Sequence, residues 1–164
     1  MSVMTRFKRL VRYNYLKILR LRTSSHSIAL GLALGAFGGC LPALPGLPLQ
    51  SLVGLALAFI FRANKIAAWL GTWVSNPFNW VLFYWAEYKI GSLIIPLDIK
   101  IDPLSMNIQE LVSLGAKGIL VLMIGGAILG IPIGLLTYAI SLPLIRNYHK
   151  RRALRLLRKR TSSS

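Results

Sequence analysis

The chain has 164 residues, of which 55% are hydrophobic, with a mean hydropathy of +0.60 and a formal charge of +16. That much apolar sequence in unbroken runs exceeds what one soluble core of this size buries, and it excludes a disordered chain. A single cysteine, Cys40, excludes an internal disulfide framework, and two distant histidines, His26 and His149, leave a metal without ligands, so no metal or cofactor is expected.

Residues 1–26 hold seven of the twenty basic residues, from Arg6 to Arg22. Val3, Met4, Phe7, Leu10, Val11, Tyr15, Ile18 and Leu21 share one helical face and Lys8, Arg9, Arg12, Lys17 and Arg20 the other, the pattern of an amphipathic basic helix in the membrane interface. The alternative is a helix packed on the rest of the fold. Thr23 to Ser27 then punctuates the chain and supplies capping hydroxyls for the next helix.

Residues 27–145 form the membrane domain. Within it, 28–61 is apolar but broken: 14 residues to Leu41 and 13 from Leu49, each too short for the roughly 30 Å of hydrocarbon. Pro42, Pro45 and Pro48 stop the helix between them. A re-entrant helix–proline loop–helix is the expectation, and a single long kinked span its rival. Gly31, Gly35 and Gly39, and later Gly126, Gly130 and Gly134, are spaced by four, a pattern that lets another backbone approach closely. The two stripes point to two elements packing together or to a remote internal duplication, with chance spacing in glycine-rich helices as the alternative, and they leave a homo-oligomer or a membrane-protein partner open. Cys40, after Phe37-Gly38-Gly39, reads as a small buried apolar residue rather than a lipoprotein cleavage point, because the apolar run continues past it.

Residues 66–96 predict a broken helix: Asn76-Pro77 signals a new start, with the second helix running to about Ile95. Trp69, Trp73, Trp80 and Trp85 suit interface belts or packing. Residues 97–110 are polar and acid-leaning and suit an external loop, and 111–145 a transmembrane helix kinked at Pro132. Residues 146–164 are a basic cytoplasmic tail, predicted as a helix, with eight basic residues between Arg146 and Arg160.

Basic ends around a nearly neutral middle place both termini on the cytoplasmic side, which requires an even number of crossings. The tail lacks interleaved aromatics after Tyr148 and begins where an apolar segment ends, so it reads as an anchor on anionic headgroups rather than a nucleic-acid arm. The fold class expected is an all-α integral membrane protein: re-entrant or broken helices plus about two full crossings, an amphipathic N-terminal helix and a basic C-terminal helix.

No catalytic triad, nucleotide loop or paired carboxylate can be assembled, so no enzyme is expected. The polar residues at the helix breaks remain. Gln50, Arg62, Asn64, Thr72, Asn76 and Asn79 are the candidate substrate-binding residues, because helix N-termini with free N–H groups and a guanidinium suit an anion. The plain alternative has Gln50 and Asn76 capping freed backbone and Arg62 reaching to headgroups. Glu87, inside a crossing, is expected to pair with Lys89 or a neighbouring helix rather than carry protons, though a carrier role stays open.

Residues 24–91 carry Ser24-Ser25-His26-Ser27-Ile28-Ala29-Leu30-Gly31, Gly35-Ala36-Phe37-Gly38-Gly39, a proline loop ending in Gln50, Phe61-Arg62-Ala63-Asn64-Lys65, Gly71-Thr72-Trp73-Val74-Ser75-Asn76-Pro77, and Tyr84 to Gly91. This string resembles the bacterial membrane family catalogued as domain of unknown function two thousand and sixty-two. The prolines of 41–48 depart from the family's shorter turn, and the family implies no activity. A looser architectural similarity is to DedA-type bacterial membrane proteins, whose facing re-entrant helices are linked to moving lipid phosphates. The function expected is transport or handling of an anionic lipid or other anionic amphiphile in a bacterial-type cytoplasmic membrane. The alternative is a non-transporting scaffold joined to partners through the glycine stripes.

Overall fold

The computed structural model describes residues 23–42, 48–75, 79–96 and 115–161, with side chains described as far as Leu154. Every element among them is helical: α1 (Ser25–Gly39), α2 (Leu49–Ile60), α3 (Lys65–Gly71) leading into one 3₁₀ turn (Thr72–Val74), α4 (Trp80–Ile94) and α5 (Gly115–Thr161). The interfacial helix expected over 1–26 lies, as far as residue 22, outside the described residues. So do 43–47 of the proline loop, the Asn76-Pro77 start, and the external loop 97–110.

Ser24 caps α1, its Oγ accepting from Ser27 N at 3.1 Å, so the hydroxyl-rich segment does begin a helix. Pro42 lies just beyond the α1 C-cap, Cys40, and Pro48 is the N-cap of α2. The apolar stretch is therefore two half-length helices. Gly38 meets Gln50 and Gly54, and Ala58 clusters with Leu30 and Leu34, so α2 returns antiparallel along α1.

The chain turns again through a helix-ending motif at Ala58–Ala63. Arg62 N donates to Phe59 O at 3.2 Å and Ala63 N to Ala58 O at 2.8 Å, with Arg62 left-handed at φ 51°. These are the two bonds of a Schellman ending, and Ala63 packs with Ala58 as the motif's apolar contact. α3 then runs parallel to α1: Gly31 faces Asn64 and Ala67, Gly35 faces Ala68, and Gly39 faces Thr72.

α5 is antiparallel to α1 on another face. Gly126 meets Cys40 and Leu41, Gly130 meets Phe37, Gly134 meets Ala33, and Ile145 closes on Ile28 and Ala29. α4 packs on the first part of α5, with Gly91 against Val121 and Gly125 against Glu87. Each glycine stripe thus meets a backbone, but the two do not meet each other. The first receives α3 and the 3₁₀ turn, and the second receives α1.

α5 differs from expectation in length. It runs 47 residues, about 70 Å, through Pro132 and Pro143 and across position 146, where a membrane helix was expected to give way to a tail. The change in charge there is not a change in structure, because Arg, Lys, Leu and Ala are all strong helix formers. Each proline removes one N–H, leaving the carbonyls of Ile128 and Ala139 without their usual helical donors. α5 is the one helix among the described residues long and apolar enough to cross a membrane, by length and composition.

The core mixes a few large residues, Ile28, Val121, Leu122 and Ile145, with many small ones. Ala29, Ala58, Ala67 and Ala68 are fully buried, whereas Leu93 is 85% exposed, Ile60 72% and Leu135 65%.

Candidate functional site

The five candidate residues that are described fall in two places: Gln50 and Thr72 meet at the end of α1, with Asn79 tied to the adjoining 3₁₀ turn, whereas Arg62 and Asn64 lie by its start. Gln50, at the start of α2, turns to the end of α1. Its Nε2 donates to Leu41 O at 2.8 Å and Gly39 O at 3.2 Å. The last carbonyls of a helix lack intrahelical partners, and here a side-chain amide serves that of Gly39 together with the Leu41 carbonyl just past the cap. Thr72 is buried, with Oγ1 donating to Trp69 O at 2.7 Å. Asn79 is the N-cap position of α4 but makes no capping bond there. Its Nδ2 reaches back to Val74 O at 2.9 Å and ties the 3₁₀ turn to the next helix. The described part of that helix begins at Trp80. Asn76 lies outside the described residues.

Asn64 is engaged through its side chain and its backbone. Its Oδ1 accepts from Ala67 N at 2.9 Å, capping α3. Its Nδ2 donates to Thr23 Oγ1 at 3.0 Å, and its own backbone N–H donates to Ser27 O at 3.0 Å. Asparagine at the third residue before a buried alanine pair is a readable cap signal, and it fixes α3 to the beginning of α1. Asn64→Ala is expected to destabilise the protein by about 1–2 kcal/mol, measured as SDS or thermal unfolding in detergent. An unchanged transition would contradict this assignment.

Arg62 stands apart. It is exposed, two residues before Asn64 and three before Lys65, whose Nζ lies 3.8 Å from the centroid of the Phe59 ring. The Arg62 backbone occupies the position where glycine is preferred, because a Cβ there crowds the carbonyl.

Sequence reasoning missed what gathers at this end of the molecule. His26 Nδ1 lies 2.7 Å from Tyr138 Oη, with the rings edge to face at 5.8 Å, and Ser25 Oγ lies 3.1 Å from His149 Nδ1. Two histidines 123 positions apart in sequence thus both pin the start of α1 to α5. Only their placement near the basic ends hinted at it. The result is one polar end: Thr23 to His26, the α2–α3 turn with Arg62 and Lys65, and α5 from Arg146 to Arg152. Arg62, Lys65, Arg146, Lys150, Arg151 and Arg152 are all exposed there.

Glu87 lies far from that end, and it is the only acidic residue among those described. It is 1% exposed, and its Oε2 has no hydrogen-bond partner. Lys89 does not pair with this oxygen. Among the described residues no three His, Cys, Asp or Glu side chains are grouped to hold a metal.

A family model described as an uncharacterized protein conserved in bacteria (DUF2062) matches residues 8–154. No curated protein and no solved structure matches the chain, so the DedA likeness gains no counterpart.

Proposed function

We propose that this chain, which belongs to the bacterial DUF2062 family, is a multi-pass protein of the cytoplasmic membrane that binds and handles anionic lipid at its basic end. Its role is binding or transport rather than catalysis. The membrane reading is supported by the packing, in which alanine and glycine supply most of the buried contacts and many leucine, isoleucine and tryptophan side chains face outward. Water would reverse that order, whereas a lipid solvent leaves close backbone approach to hold the helices together. In this reading the α1–α2 hairpin is re-entrant. It leaves and returns at the end where α1 begins and the basic part of α5 starts, and this polar end faces the cytoplasm.

The observation that carries the lipid reading is Arg62. A solvent-facing guanidinium sits beside Lys65 in a left-handed turn that glycine would adopt more easily. A residue held in a disfavoured conformation at an exposed point is a pointer to function. The α5 cations lie at the same end, and cations near a surface attract anionic lipid by about 1 kcal/mol each.

Replacing Arg62 by glycine separates the two properties. The backbone strain is relieved, so Arg62→Gly is expected to unfold no earlier than wild type. Anionic lipid retained through gentle extraction, read by native mass spectrometry, is expected to fall about fivefold. Equal retention in both proteins would end the headgroup reading. The scaffold alternative draws on the glycine stripes, and both stripes are occupied by this chain's own backbone.

A further inference from the structure

We propose that Glu87 is an exchangeable proton-binding site set inside the helical bundle, a second functional locus separate from the basic end. The proposal does not rest on the headgroup reading. Glu87 is level with Gly125 on α5 and the start of α1 is level with Ile145, twenty residues and about 30 Å along the same helix.

The surroundings of Glu87 are built from three elements. α4 carries it, and α5 presses Gly125 onto its backbone so closely that a Cβ would overlap the Glu87 carbonyl. The next residue, Gly126, holds the end of α1 at Cys40 and Leu41. The glycine pair therefore brings α4 and the end of α1 to the same level of α5. Cys40 is buried there, donates its thiol to Ala36 O at 3.1 Å, and lies within electrostatic reach of Glu87.

The charged and titratable groups around it are few. On α4 they are Tyr84, Tyr88 and Lys89, on α1 Cys40, and on α5 nothing nearer than Lys117, two turns from Gly125. The 3₁₀ turn and α2 carry none.

A carboxyl buried to this degree with an open oxygen is costly unless something binds it. Metal cations of the hard class are held by several oxygen ligands, carboxylates foremost, and among the described residues Glu87 belongs to no group of three His, Cys, Asp or Glu side chains. A proton needs one oxygen. The step is a simple transfer: a proton from the aqueous phase bonds to a carboxylate oxygen, and the same O–H bond breaks when it returns. The packing of α4 on α5 at Gly125 is glycine against the Glu87 backbone, and at Gly91 it is glycine against the backbone and one methyl of Val121, so few side-chain contacts are lost at these points if α4 shifts along α5 and opens the group to water.

The test uses the full-length protein in lipid vesicles and dicyclohexylcarbodiimide, an apolar reagent that adds to protonated carboxyl groups. The adduct is mapped by peptide mass spectrometry across a pH series, with and without sodium. The expected result is an adduct on Glu87 whose yield falls about tenfold per pH unit on the alkaline arm and ignores sodium. Glu87→Gln, close to isosteric, is expected to fold as wild type and lose that adduct, and with it one proton from the uptake measured after a pH jump. An absent adduct, or a yield that does not change with pH, would overturn the proposal and leave Glu87 a sealed packing residue. Suppression by sodium at fixed pH would overturn it in favour of a metal cation. Unchanged proton uptake in Glu87→Gln would overturn it as well.

Discussion

Gly125→Ala is expected to unseat α4 from α5 and cost about 3 kcal/mol or more in SDS unfolding. The reason is geometric. A Cβ at this position would overlap the carbonyl of Glu87, which is backbone and cannot rotate away. Helix propensity alone predicts the opposite sign, since alanine is favoured over glycine by about 1 kcal/mol inside a helix. Gly134→Ala supplies the control on the same helix. There the nearest atom to an added Cβ is Ala33 O at 3.2 Å and the next is Phe37 Cβ at 3.6 Å, so a small shift accommodates it. A near-neutral effect is expected at Gly134 and a large one at Gly125. Equal effects at both positions would mean that α4 is not docked by direct backbone contact.

Gln50→Leu carries the second large effect. Leucine is near glutamine in size, so packing at the start of α2 is little changed. What is lost is the amide donor shared by Gly39 O and Leu41 O. These two carbonyls are then left without donors in an apolar region, each at about 1–3 kcal/mol. The expected loss is about 2–4 kcal/mol in the same unfolding measurement. Gln50→Glu removes the N–H donor while keeping polarity and is expected to be no better. A Gln50→Leu protein as stable as wild type would show that water or another group serves those carbonyls.

These two sites illustrate which parts of the molecule were legible in the sequence. The helix breaks were, because proline removes a donor wherever it falls, and Ser24 announced the start of α1. The glycine stripes were legible as packing surfaces, but their partners were not, since spacing by four says only that something comes close. At the candidate residues one competition recurs. Gln50, Asn64, Thr72 and Asn79 sit at helix ends, where freed backbone groups compete with any ligand for a side chain, and in each the backbone takes the side chain. Arg62 escaped that competition because the Schellman bonds already satisfy the end of α2.

Glu87 and Lys89 could not pair across the helix for a different reason. Residues two apart on an α-helix point to opposite sides, so proximity in sequence was misleading there. The length of α5 was hidden by its charge, since the run from Arg146 onward reads as a tail by composition and as a helix by propensity. Nothing in the sequence announced that His26 and His149 would both reach the junction of α1 and α5, because that contact depends on two helices arranged by glycines elsewhere.

The central claim is that the α1–α2 hairpin returns to the face it left, so that Arg62 shares an aqueous side with the basic end of α5. Single-cysteine labelling tests it most directly. In a Cys40→Ala background, Arg62→Cys and Lys150→Cys are each exposed to a membrane-impermeant maleimide in intact cells and in inverted vesicles, beside Ser105→Cys. The account predicts that Arg62→Cys and Lys150→Cys label only in inverted vesicles and Ser105→Cys only in intact cells. Labelling of Arg62→Cys from the side opposite to Lys150→Cys would make the hairpin a full crossing and contradict the account.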